Sequence, residues 1–358
     1  MIHLPNMKKQ QKDLPTTAKV VGDKVLFFGD LHMSSTFEGQ HKAYLQECYE
    51  NMEIIKDICD KEKPSAIVFA GDINGVNEQN IRDRQFFMRE LQWFTYLNSL
   101  TNGNVYSVKG NHDVGDFTDF DFLVGLNLLK NPRYLDFYVI DENTGNEKLE
   151  VRFHLVNYGY EHAKLNLTAE GDLASNVVFG HNDYYIDGVT NWYSAKNGVE
   201  LSKLDNFCGV DLVFSGHIHI PSNGEICYTN LPDGNTIGLF YPGSPSRVAD
   251  RYDNCWYVSF YYSKESGATE YNASLMGLRP ASEIFYPKED FELGEGSEEE
   301  MIDREQSEKL TALVKEIIEG RLTTGDIVGQ IKAVRGVSDE VKEIAIRYYN
   351  MAIGEERK

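Results

Sequence analysis

Short apolar runs alternate with longer amphipathic stretches along the first half of the chain. Val25-Leu26-Phe27-Phe28, Ala66-Ile67-Val68-Phe69-Ala70, Asn104 to Val108, Asn176-Val177-Val178-Phe179 and Leu212-Val213-Phe214 each predict a buried strand. Between the first three, Gln40 to Lys61 carries Tyr44, Tyr49, Met52, Ile55 and Ile58 at near-helical spacing, and Pro64 blocks its continuation. Arg82 to Leu100 repeats the pattern with Phe86, Leu91, Phe94 and Leu97, and closes at Asn102-Gly103. The order β-α-β-α-β predicts a layered α/β fold.

Past Val108 the pattern changes. Phe117 to Lys130 is aromatic-rich and predicted helical at its end; Leu135 to Ile140 and Lys148 to Val156 read as strands joined by a turn over Asp141 to Asn146. Gly224 to Tyr262 returns to β, with Val258, Phe260 and Tyr262 alternating. The polar, Pro-broken residues 1–20 read as a loose leader, and 21–270 as one domain. Residues 271–297 read as a capping extension running into an acidic linker, Glu289 to Glu300. Residues 298–358 read as a small helical module: Leu310, Leu313, Val314, Ile317 and Ile318 make an apolar stripe at helical spacing, Asp326 to Val334 reads as a shorter helix, and Ser338-Asp339-Glu340 as the start of the last one.

The ends of the five strands carry the candidate chemistry. Each run stops at a glycine or just before one and then presents polar side chains: Gly29-Asp30-Leu31-His32, Gly71-Asp72-Ile73-Asn74, Gly110-Asn111-His112-Asp113, Gly180-His181-Asn182 and Gly216-His217-Ile218-His219. Loops at the carboxyl ends of strands in an α/β sheet converge on one crevice, so these residues can meet. Carboxylate, imidazole and amide oxygen together suit manganese, iron or zinc. Two such ions clamp both the attacking and the leaving oxygen of a phosphoryl group. Aspartate and histidine after a strand also make turns and caps, and one block alone would not separate the two roles.

Five blocks in this order resemble the signature of the calcineurin-like metallophosphoesterases, over roughly residues 24 to 220. The segment Phe240-Tyr241-Pro242-Gly243-Ser244-Pro245-Ser246-Arg247 is similar to the post-motif segment of the Mre11/SbcD nuclease branch and its phage recombination counterparts. The resemblance implies a two-sheet β-sandwich flanked by helices in α/β/β/α layers. It implies two divalent ions, manganese first and iron, zinc or magnesium as alternatives. Asp30, His32 and His219 would hold one ion, Asn111, His181 and His217 the other, and Asp72 would bridge them. His112 would protonate the leaving oxygen, with Asp113 fixing its tautomer. Ser244, Ser246 and Arg247 either cradle a substrate phosphate or form an ordinary tight turn. In that branch the C-terminal helices hold a Rad50/SbcC-type coiled-coil ATPase, which makes DNA and such an ATPase the implied partners and leaves homodimerisation open. One departure is Gly75, where many members of the branch have an acidic residue or histidine.

Composition modifies this reading. Hydrophobic residues at 41% and charged residues at 25% are ordinary for a globular protein. The five cysteines include no CxxC pair, no apolar stretch reaches membrane-spanning length, and the N-terminus lacks a signal core, so a reducing cytoplasm and no membrane are expected. The net charge of -21 opposes broad affinity for nucleic acid, because phosphate contacts need Lys and Arg. The acidic 289–308 segment and the metal ions themselves soften that objection. The leading expectation is a DNA exonuclease or endonuclease; the alternatives are a phosphodiesterase or phosphatase for small nucleotides or phosphoproteins, and a noncatalytic scaffold for an ATPase.

Overall fold

The computed structural model describes residues 17–33, 44–74, 84–114, 118–159, 175–190, 198–207, 209–222, 224–246, 254–280 and 283. Two compact units divide the chain, Met1–Tyr286 and Pro287–Lys358, and every described residue lies in the first. The predicted acidic linker, the C-terminal helices and their docking role, and residues 1–16 of the leader therefore lie outside the described residues.

The apolar runs become strands buried on both faces. Strands β2 (Lys24–Phe28), β3 (Ala66–Phe69) and β4 (Val105–Ser107) run parallel. With β13 (Cys255–Ser263) and β14 (Ala268–Met276) they form a five-stranded sheet in the order β14-β13-β2-β3-β4. The second sheet contains β1 (Thr17–Val21), β5 (Tyr134–Ile140), β6 (Glu147–Val156), β7 (Ser175–Gly180), β10 (Leu212–Ser215), β11 (Cys227–Asn230) and β12 (Thr236–Phe240). Its order is β1-β5-β6-β7-β10-β12-β11, and β6, β7 and β10 are mutually parallel.

An aromatic stack joins the two sheets. Phe27 of β2 lies flat on Phe179 of β7 at 4.3 Å between ring centroids, and Phe179 lies on Phe153 of β6 at 4.6 Å. Phe214 and Phe260 meet this stack edge-on, so one dry core holds the sheets together. On the other face of the five-stranded sheet lie α1 (Tyr44–Glu62) and α2 (Arg84–Leu100), bringing Met52, Ile55, Cys59, Phe94 and Leu97 against Leu26, Phe28, Ile67 and Phe69. Trp93 Nε1 donates to Met52 O at 2.8 Å and locks the helices to each other. The outer face of the seven-stranded sheet is covered, among the described residues, by Tyr184, Ile186, Leu201 and Phe207, alongside a two-stranded ladder of β8 (Tyr184–Tyr185) and β9 (Val199–Glu200).

Three elements differ from the sequence expectation. Residues 17–20, the end of the expected leader, belong to the edge strand Thr17–Val21, which pairs parallel with β5 and is anchored by buried Val20. The five-stranded sheet passes the boundary drawn at residue 270, because β14 pairs with β13 as far as buried Met276. In both strands most positions are exposed or half-buried, so they lack the apolar run that marked the central strands. Helix α3 (Asp119–Gly125) sits at the start of the aromatic-rich segment instead of its end. Thr118 and Asp121 form a reciprocal capping box that fixes its first turn.

Phe179→Ala removes the middle ring of the inter-sheet stack and is expected to destabilise the protein by about 3–5 kcal/mol. Denaturant unfolding measures this, with exposed Leu275→Ala as a control expected to stay within about 0.5 kcal/mol. A Phe179→Ala loss no larger than the control's would show that the sheets do not share one core.

Candidate metal centre

The parallel registers set the strand ends level. Phe28 pairs with Phe69 and Phe69 with Ser107 in one sheet, while Phe179 pairs with Phe214 in the other. The five polar loops leave these ends together and meet across the open edge of the sandwich. His32 N donates to Asp72 O at 2.7 Å and Met33 N to Ile73 O at 2.9 Å, which ties the first two loops side by side.

The backbone is strained where the polar side chains turn inward. Among the described residues six non-glycine positions have positive φ, and three of them are His32 at 45°, Asp72 at 42° and His217 at 75°. Such conformations persist where surrounding structure over-determines them, and they concentrate at functional sites. Glycines allow the carboxylates to come close: a Cβ on Gly110 would lie 2.1 Å from Asp72 Oδ1, and one on Gly216 would lie 1.8 Å from Asp30 Oδ1.

The seven side chains form two lobes around Asp72. In one, His32 Nε2 and His219 Nε2 are 2.8 Å apart and His219 Nε2 is 3.6 Å from Asp30 Oδ2. In the other, Asn111 Oδ1 lies 2.9 Å from both His181 Nε2 and His217 Nδ1. Asp72 Oδ2 reaches both, at 3.6 Å from His32 Nε2 and 3.1 Å from His181 Nε2. The first lobe is by geometry a group that could hold a metal ion, with one donor atom each of Asp30, His32, Asp72 and His219 within 4.8 Å of one another.

The residues fit such an ion. Asp30 Oδ1 is buried with no hydrogen-bond partner, although a buried carboxylate oxygen strongly requires one. His181 Nδ1 faces Ala70 O at 2.7 Å, so an Nδ1–H donated there leaves the Nε2 lone pair directed at Asn111 and Asp72. Burial, reinforced by His219, pulls the His32 pKa down to about 3, which keeps that imidazole neutral and able to donate its lone pair. Burial likewise lowers His217 and His219. His181 behaves oppositely: burial would lower it, and the Asp30 and Asp72 carboxylates overcome that and raise it well above an ordinary imidazole. Asp72 is raised by burial but held below the usual carboxylate range by His181 and His32.

His112 and Asp113 are placed differently from each other. His112 is exposed, its ring 5.3 Å from that of His32, and its backbone N donates to Asp72 Oδ1 at 2.8 Å. Asp113 was expected to orient the His112 ring, but its carboxylate is turned inward. Oδ1 accepts from Ile73 N at 3.2 Å and Oδ2 from Gly110 N at 2.9 Å, so Asp113 clasps the second loop to the third. Burial, with the nearby Asp72 charge, pushes its pKa up to about 7. Adjacent residues in a tight turn point to opposite sides, which the sequence alone does not reveal.

Ser244 and Ser246 are buried as well. Ser244 Oγ lies 2.8 Å from both Asp30 O and Ser246 O, while Asn51 Nδ2 of α1 donates to Pro245 O at 2.7 Å and to Ser246 Oγ at 3.4 Å. The turn therefore buckles the Asp30 loop to α1 and does not present these hydroxyls to a phosphate. Arg247, Gly75 and Arg82 lie outside the described residues. Arg89 rests its guanidinium on the Tyr49 ring at 4.4 Å, and His154, outside the five blocks, is buried with Nε2 3.1 Å from Asn176 Oδ1. Asn51 was not singled out from sequence, because one asparagine inside an amphipathic helix carries no signal of its own.

The family model described as calcineurin-like phosphoesterase matches residues 23–221. No curated protein matches the chain. Among solved structures, YfcE, a phosphoesterase from E. coli, is similar at 15% identity and a TM-score of 0.32, over 72% of this chain and 100% of its own. NAD nucleotidase NadN from Haemophilus influenzae is similar at 13% identity and a TM-score of 0.36, over 93% of this chain and 67% of its own. At these TM-scores neither likeness bears on substrate.

Gly216→Ala drives a methyl group into Asp30 Oδ1 and is expected to weaken metal binding at least tenfold while the far-UV spectrum stays that of the wild type. Manganese titration by calorimetry measures it. Wild-type affinity in this variant would show that the Asp30 carboxylate takes no part in holding the ion.

Proposed function

Because the chain belongs to the calcineurin-like phosphoesterase family, we propose that it is a two-metal phosphodiesterase for small nucleotide-type phosphodiesters. The observation that carries the metal chemistry is the pair of donor lobes sharing Asp72. Asp30, His32 and His219 would hold one ion and Asn111, His181 and His217 the other, a mixed oxygen and nitrogen set suited to manganese, iron or zinc. When bound, the ions would polarise the phosphoryl oxygens and activate a water near neutral pH.

The chain's own residues supply the rest. His112, exposed beside the His32 lobe, would give a proton to the departing oxygen. Its placement comes from its backbone bond to Asp72 and from the Asp113 clasp beneath the same loop. Ser244 and Asn51 keep Asp30 in position from behind.

Charge favours a small substrate. Residues 1–286 carry 38 acidic and 24 basic side chains, so the excess belongs to the phosphoesterase unit itself and not only to the acidic tail. A long polyanion needs a track of Lys and Arg, whereas a single phosphodiester can be neutralised by the ions. Lys109, in the third metal loop, is already paired with Asp121 at 3.1 Å. A second reading, a DNA nuclease with a Rad50/SbcC-type partner, is favoured by one observation, the similarity of the Gly243-Ser244-Pro245 segment to that branch.

Hydrolysis of bis(p-nitrophenyl) phosphate, of a dinucleotide and of end-labelled DNA, each in manganese and in EDTA, separates the readings. Manganese-dependent cleavage of the two small esters, lost in Asp72→Ala, is expected. Efficient cleavage of long DNA would establish the second reading, and inactivity on all three would refute catalysis by the chain alone. His112→Ala is expected to lower kcat by a factor on the order of 100 to 10,000 with manganese affinity retained; equal loss of metal would remove His112 from the proton-transfer role.

A further inference from the structure

A sixth strand end reaches the same crevice without contributing a metal donor. β6 ends at Val156, which pairs with Gly180 in the parallel register, so Asn157-Tyr158-Gly159 emerges level with the His181 loop. The backbone there is fixed: Tyr158 N donates to Lys109 O at 2.7 Å, and Lys109 N donates to Asn157 Oδ1 at 2.7 Å. Asn131 Nδ2 also donates to Asn157 Oδ1, at 2.9 Å, and Asn182 Nδ2 to Asn157 O at 3.4 Å. The loop that carries Tyr158 is thus bound to both the third and the fourth metal loops.

The side chain is left open. Tyr158 is 43% exposed, and its ring centroid lies 5.3 Å from that of His217 and 6.1 Å from that of His181. Among the described residues it is the large exposed aromatic in ring contact with the metal-centre imidazoles. His112 flanks the other lobe, beside His32. A phosphate held across both lobes therefore has an exposed proton donor at one side and an anchored aromatic ring at the other.

Resting on the phosphodiesterase reading, we propose that Tyr158 is the platform on which the nucleobase, or an equivalent aryl group, of the substrate stacks. A ring on a fixed backbone loses little freedom when a base covers it, and every base offers a π-face. The site would therefore select for an aromatic substituent without reading base identity. The ring would act chiefly on KM, since stacking is made equally before and during phosphoryl transfer.

Calorimetry on the full chain with manganese tests this, using AMP and ribose 5-phosphate as probes. Wild type is expected to bind AMP about 5- to 150-fold more tightly than ribose 5-phosphate, the range of base–aromatic stacking. Tyr158→Ala should abolish that preference and Tyr158→Phe should keep it, with ribose 5-phosphate affinity and manganese content unchanged in both. Absence of AMP binding, equal affinity for the two probes in wild type, or a preference that survives Tyr158→Ala would overturn the proposal. So would a Tyr158→Ala variant that weakens both probes alike, which would make the ring a support for the imidazoles. Loss of preference in Tyr158→Phe would assign recognition to the hydroxyl and reject stacking. The ratio of two affinities needs no turnover, so it stands apart from the hydrolysis assays that decide the phosphodiesterase reading itself.

Discussion

Asp30 and Asp72 are both about 1% exposed and share one cluster, an arrangement in which like charges repel and desolvation disfavours ionisation. The protein offsets this with polar groups from other loops. His217 N donates to Asp30 Oδ2 at 2.7 Å, His112 N donates to Asp72 Oδ1 at 2.8 Å, and the His181 ring lies 3.4 Å from Asp30 and 3.1 Å from Asp72. Each of these groups belongs to a different loop from the carboxylate it faces, so settling the two aspartates requires all of the loops together. The charge problem and the assembly of the crevice are therefore one problem.

Its solution depends on the sheets. The Phe27, Phe179 and Phe153 stack fixes the two sheets against each other, and the parallel registers bring the ends of β2, β3, β4, β7 and β10 to a common edge. Only then can His32, Asp72 and His217 be held at positive φ, since an isolated loop would relax to an ordinary backbone conformation. Asp113 and Ser244 act in the same sense from beneath, clasping the second loop to the third and the first to α1. The core, the strained loops and the buried clasps are successive layers of support for two carboxylates.

The central strands and the strand-end donors were legible because each leaves a local mark: an apolar run, then glycine, then a polar side chain. The edge strands Thr17–Val21 and Ala268–Met276 escaped because half-covered strands lack that run. The direction of a side chain leaves no mark either. Asp113 sits next to His112 in sequence yet points into the protein, and Ser244, in a turn whose sequence suggests phosphate binding, bonds to the carbonyl of Asp30. Asn157-Tyr158-Gly159 reverses the order of the five recognised loops, with the polar residues ahead of the glycine, and neither asparagine nor tyrosine marks a strand end as a donor loop.

An acidic phosphoesterase raises the question of how it attracts an anion at all. Residues 1–286 have a surplus of acidic side chains, and Lys109 is paired within the fold, so long-range attraction is weak among the described residues. Short-range terms must then supply affinity: divalent ions for the phosphate, and apolar or aromatic surface for whatever the phosphate carries. The two requirements would coincide where Tyr158 stands against His217, at the edge of the donor lobes that offers an exposed phenol ring. Selection by such a site works through the substituent at least as much as through the phosphate, and inorganic phosphate, which gains nothing from the ring, would be held more weakly than an ester bearing a base.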